Sequence, residues 1–107
     1  MRHYASLRRS ADFSRLRQRG RRVASGVLTI YRAEPLASDL RCVVGITVGK
    51  PVGKAVVRNT VRRRIGAILQ NALEGRRLRL LVVARPGAGE APFIQLKRDI
   101  ERALAGR

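Results

Sequence analysis

The sequence predicts an α+β domain, a small sheet with helices packed against it. Three observations carry this. Apolar residues recur at helical spacing in two stretches, Val57 to Ala72 and Phe93 to Leu104. Runs rich in β-branched or aliphatic residues lie before and between them, at Val27 to Arg32, Arg41 to Val48 and Leu78 to Ala84. Clusters of proline and glycine separate these segments.

The elements follow in the order α-β-β-β-α-β-α. Ser10 is placed to cap a first helix, and Asp12 suits the positive end of its dipole. Phe13 and Leu16 share a face of that helix, and Gly20 ends it. Arg21 to Ser25 reads as a short strand and Val27 to Arg32 as a better one. Glu34 to Asp39 connects to an apolar, central strand from Arg41 to Val48. Pro51 with Gly49 and Gly53 marks a loop without regular structure. A second helix runs from about Lys54 to Leu73, with Val57, Val61, Ile65, Ile68, Leu69 and Ala72 on its buried stripe. Asn59, Arg62, Arg63 and Gln70 lie opposite, and Arg58 flanks the apolar stripe. Gly66 interrupts this helix at a cost of roughly 1 kcal/mol relative to Ala. After the strand ending at Ala84, Arg85 to Gly89 is a turn. Pro92 opens a last helix in which Phe93, Leu96, Ile100 and Leu104 share a face.

At 107 residues the chain fits one domain. Its 45% hydrophobic content supports a modest core. Lys and Arg number 24 against 7 Asp and Glu, a formal charge of +17. Self-repulsion of that size disfavours compaction, so binding a polyanion is expected to stabilise the fold. All the cations except Lys50, Lys54 and Lys97 are arginine. Arginine grips phosphate bidentately and stacks on bases, which suits RNA; a genome-wide preference for arginine would give the same composition. Cys42 stands alone in a strand pattern and reads as a buried small hydrophobe. That, the lack of an apolar signal core and the lack of any membrane-length apolar run point to the cytoplasm. Attachment to a membrane surface is disfavoured, because the charge is spread along the chain and there is no strongly amphipathic tail.

The charge has one concentrated site. Lys50 to Arg64 holds six cations and no carboxylate, and no acidic residue occurs between Asp39 and Glu74. A helix with one apolar face and an uncompensated cationic face calls for a large polyanion beside it, and nucleic acid is the obvious one.

Nothing in the sequence assembles a catalytic centre of its own. His3 is the only histidine, in an end expected to fray, and with one cysteine it supports neither a metal site nor a nucleophile pair. Asp99 and Glu101 are two apart on a helix and point to different sides, so they read as solvated partners of Arg98 and Arg102.

The segment Gly53 to Arg63, with Arg58-Asn-Thr at its centre, resembles the RNR signature of the bacterial ribonuclease P protein component. Ala11 to Leu16 resembles the first-helix segment of that family, Val27 to Tyr31 its strand ending in an aromatic, and Leu81 to Pro86 its late strand and turn. The four agree in order over nearly the whole chain. Four positions depart from the family pattern. Thr60 and Gly66 stand where basic residues are common, Arg17 where a second aromatic is usual, and Pro51 where a lysine is frequent.

The resemblance implies a two-layer α-β sandwich, ribosomal-protein-S5-domain-2-like. In it the signature helix joins parallel neighbouring strands by a left-handed β-α-β crossover, against the usual hand. It implies a subunit that binds the ribonuclease P catalytic RNA and the 5′ leader of precursor tRNA, with no further protein partner required. Magnesium ions held mainly by the RNA would then serve the cleavage, and this chain would supply neither catalytic residue nor metal ligand. On this reading Lys50, Lys54, Arg58, Asn59, Arg62, Arg63 and Arg64 face the catalytic RNA. Phe13 and Tyr31 stack on the leader, with Arg8, Arg9 and Arg17 as phosphate contacts and Arg15 beside them. Phe13 fits a core position equally well, and Asn59 could instead brace the loop at Gly53. A structural RNA-binding protein of ribosomal type is the alternative on size and charge, and a protein enzyme acting on nucleic acid is the weakest reading.

Overall fold

The computed structural model describes residues 3–105. Its elements are β1 (Tyr4–Ser6), α1 (Ser10–Arg19), β2 (Arg21–Ser25), β3 (Leu28–Ala33), β4 (Cys42–Val48), α2 (Ala55–Ala72), β5 (Arg79–Ala84) and α3 (Phe93–Ala105). The five strands form one mixed sheet in the order β1-β4-β5-β3-β2. β1, β4 and β5 are parallel, while β3 runs antiparallel to both β5 and β2. Parallel neighbours need a crossover, and α2 supplies it between β4 and β5.

Alternation along the strands sorts side chains to two faces. On one face Leu28, Ile30, Val44, Leu80 and Val82 meet Val61, Ile65 and Leu69 of α2 and Leu96, Ile100 and Leu104 of α3. This is the expected sandwich. On the other face α1 covers part of the sheet, where Leu7, Leu16 and Leu81 are buried with Phe13, Tyr31, Val43 and Val83 packed around them.

Gly26 and Val27 link β2 to β3 in a two-residue hairpin. Gly26 takes φ +59, and a Cβ there would overlap the Asp99 carboxylate. Asp99 is 3% exposed, accepts the Val27 amide at 3.2 Å and, through its carbonyl, the Ser25 hydroxyl at 2.7 Å. Asp99 is therefore a buried clamp on the hairpin and not the solvated partner of Arg98 that the sequence suggested. Its position between Leu96 and Ala103 on the core stripe is the reason.

Other expectations shift. β1 carries no strand pattern and forms because β4 offers it an edge. His3 does not fray. Its amide donates to Gln70 Oε1 at 2.8 Å and its ring Nδ1 to the Gln70 carbonyl at 2.6 Å, pinning the β1 end to α2. Ser10 is the first residue of α1, with Arg9 at the cap position and no side-chain cap bond, while Asp12 does lie in the first turn. Lys50–Val52 is a single 3-10 turn and not an irregular loop, because proline is favoured in a first helical turn, while Pro86–Gly89 forms a 3-10 turn where a turn was expected. Phe93 is 44% exposed and leaves the core stripe of α3 to Leu96, Ile100, Ala103 and Leu104. Cys42 is fully buried, as expected, and its thiol donates to the Arg76 carbonyl at 3.1 Å.

Candidate nucleic-acid interface

Gly53, at φ +151, turns the chain out of the 3-10 turn and into α2. A Cβ there would sit 3.1 Å from Val57. The helix begins at Ala55 with Lys54 in the cap position, no side-chain cap and no acid in its first turn. Cations at the positive end of a helix dipole are unfavourable until an anion arrives. The start of α2 is thus built to accept negative charge from outside.

Asn59, Arg62 and Arg63 are exposed on the side of α2 away from the core, and Lys50 and Lys54 are exposed just before it. Asn59 Oδ1 accepts Arg62 Nη1 at 3.3 Å, and Thr60 Oγ1 accepts Arg63 Nη2 at 3.4 Å while donating to the Val56 carbonyl at 3.0 Å. Each guanidinium is steadied by a residue one turn back. Asn59 therefore braces an arginine in place of the loop at Gly53. Arg58 is half-buried, and its Nε is buried without a hydrogen-bond partner. Arg64 turns away from this group, with Nη1 3.4 Å from the Ala91 carbonyl ahead of α3.

Beside α2 runs an open groove of about 1080 Å³, lined by Phe13, Ile46, Asn59, Arg62, Arg63 and Gln70 among others. It exists because β1 stops opposite Val44 while β4 continues to Val48. Gly45 lies at its floor, and a Cβ there would come within 2.7 Å of Phe13 Cε1. The Phe13 ring thus rests on bare backbone. It is half-buried, packed against the Leu16–Leu81 cluster, and also lines the groove. The core and binding readings of Phe13 describe two sides of one ring.

Tyr31 packs at the same cluster, half-buried, on the α1 side of the sheet. Arg8, Arg9, Arg15 and Arg17 are exposed around α1. Arg8 borders a separate hollow of about 340 Å³ with Arg41 and β1. The predicted leader residues therefore share one side of the molecule but do not converge on one point. Sequence reasoning missed Gly45, Ile46 and Val56 as groove residues, because the groove depends on where β1 ends. Gly66 also finds its reason there. Tyr4 Oη lies 3.5 Å from the Gly66 carbonyl, and a Cβ on Gly66 would meet that hydroxyl at 3.1 Å.

Among the described residues no group of three or more His, Cys, Asp or Glu side chains could hold a metal ion. No described helix is long and apolar enough to cross a membrane.

Fold and surface together define a basic α+β RNA-binding domain that presents a cationic helix beside a groove. The chain belongs to the ribonuclease P protein family, whose family model matches residues 1–106. It is 39% identical over 100 residues to the ribonuclease P protein component of Acidothermus cellulolyticus, covering 92% of this chain and 83% of that one. It is 48% identical over 103 residues to that of Thermus thermophilus, where the match spans 92% of this chain and 57% of the longer relative. Among solved structures, the Staphylococcus aureus RNase P protein superposes with a TM-score of 0.83 at 25% identity, over 94% of this chain and 92% of that one. The Thermotoga maritima RNase P protein shares the fold, with a TM-score of 0.79 at 19% identity over 92% and 94% of the two chains.

Proposed function

We propose that this chain docks on the ribonuclease P RNA through α2 and holds the 5′ leader of precursor tRNA on the α1 side of the sheet. The observation that carries this is the exposed set Asn59, Arg62 and Arg63, paired with no carboxylate among the described residues and adjoining a groove with Phe13 on its wall. The RNA and its magnesium ions perform the cleavage, in which water attacks a phosphodiester and leaves a 5′ phosphate on the tRNA. The protein's part is electrostatic and positional. Two polyanions must lie side by side, and a domain of charge +17 between them offsets a repulsion otherwise screened by salt or divalent ions. The cytoplasm is the compartment this role requires.

Cleavage of precursor tRNA at low magnesium, by the RNA alone and then with this chain added, tests the reading. Activity is expected to appear with the chain and to weaken with the double variant Arg62→Ala, Arg63→Ala. Equal cleavage with and without the chain would refute it.

A further inference from the structure

Arg79 opens β5 and lies on the α1 side of the sheet, its side chain 15% exposed. Its Nε donates to Asp39 Oδ2 at 2.9 Å and its Nη2 to Asp39 Oδ1 at 3.1 Å. Asp39 is itself held: Oδ2 accepts the Leu36 amide at 2.8 Å, and its carbonyl accepts Arg77 Nη2 at 2.6 Å. The remaining Arg79 nitrogen, Nη1, lies 3.8 Å from Asp12 Oδ1 in the first turn of α1.

Beyond the seat of Phe13 on Gly45, that end of α1 has few anchors. The helix has no side-chain cap, and Leu16 is its one fully buried residue. Asp12 is its only carboxylate, among Arg15, Arg17 and Arg19. Asp12 also directly precedes Phe13, whose ring sits against Gly45 at the groove. A planar guanidinium with five donors is the side chain suited to hold two carboxylates at once.

We propose that Arg79 is a positioning residue: by joining Asp12 at the head of α1 to Asp39 in the β3–β4 connection, it sets the angle of α1 and so places Phe13 at the groove wall. The proposal deepens the reading above and rests on it, since the ligand positioned is the unpaired leader of the precursor. Arg79 need not touch RNA.

Asp12→Asn and Arg79→Lys test this in the assembled holoenzyme. The readouts are affinity for precursor tRNA with a long leader, affinity for the same tRNA without one, affinity of the chain for the catalytic RNA, and its thermal midpoint. Asp12→Asn removes one negative charge, so electrostatics alone would tighten leader binding. Loss of position weakens it, and the two effects have opposite signs. The expected result is a loss of about fivefold in leader preference for both variants, with affinity for the catalytic RNA unchanged. Arg79→Lys keeps the charge but loses the fork. Leader preference maintained or raised in Asp12→Asn would overturn the proposal, as would a parallel fall in RNA affinity and thermal midpoint. If the wild-type holoenzyme itself binds both precursors equally, the leader reading fails first and this proposal with it.

Discussion

Phe13 rests on Gly45. Its Cε1 stands 2.7 Å from the point where a Cβ would lie, so α1 meets β4 through a ring on bare backbone. The contact sits where the packed cluster of Leu7, Leu16 and Leu81 opens onto the groove beside α2. Gly45→Ala must push the ring out or bend β4. Overpacking of this kind costs about 1–3 kcal/mol. Urea unfolding is expected to show that loss, and Gly45→Ala with Phe13→Ala should recover part of it. Full stability in Gly45→Ala alone would mean that α1 is not seated as described.

Tyr4 and Gly66 give a second, more local test. Glycine inside a helix is worse than alanine by about 1 kcal/mol. Here the alanine methyl would stand 3.1 Å from the Tyr4 hydroxyl, a tight contact that makes the hydroxyl give way. Gly66→Ala in a Tyr4→Phe background is expected to stabilise by up to about 1 kcal/mol, and in the wild type by distinctly less. Equal gains in both backgrounds would break the link between β1 and α2.

The hairpin clamp makes a third. Gly26→Ala meets both a positive φ and the Asp99 carboxylate, and is expected to lower stability by more than about 2 kcal/mol. Asp99→Ala should relieve part of that loss in the double variant, a non-additivity that denaturant titration would detect.

Acid stability follows from Asp39. The hydrogen bonds from Arg79, foremost, hold its carboxyl below the ordinary aspartate range, and Arg79 is raised in turn by the same bond. The native state therefore takes up this proton less readily than the unfolded chain. The stability it contributes is complete above the unfolded value of about 3.9 and is lost as pH falls through the lower native value. Asp39→Asn is expected to cost about 2 kcal/mol at neutral pH and to flatten the loss of stability below about pH 4. An acid limb as steep as the wild type's would contradict this.

Much of this was legible in the sequence, and the exceptions share a cause. α2 was readable because Val61, Ile65, Ile68 and Leu69 repeat at helical spacing and are all buried. Its cationic face was readable because Lys50 to Arg64 carries no acid. β1 was not readable: Tyr4-Ala-Ser has no alternation, and only the edge of β4 makes it a strand. The Tyr4–Gly66 contact, the His3–Gln70 bonds and the groove all depend on β1, so they were hidden with it. The burial of Asp99 is legible in its spacing, three after Leu96 and four before Ala103 on the buried stripe, but a carboxylate there reads as solvated until its hairpin partners are in place. The hand of the crossover came from family resemblance, as nothing in a strand-helix-strand pattern specifies an exception to the usual hand.

The central claim is that the exposed face of α2 docks on the ribonuclease P RNA. Its most direct test is the salt dependence of RNA affinity for the wild type and for Arg62→Ala with Arg63→Ala. The double variant is expected to bind more weakly, with a log–log slope shallower by about 0.7–0.9 for each phosphate it no longer neutralises. An affinity and slope identical to the wild type's would remove this face from the interface.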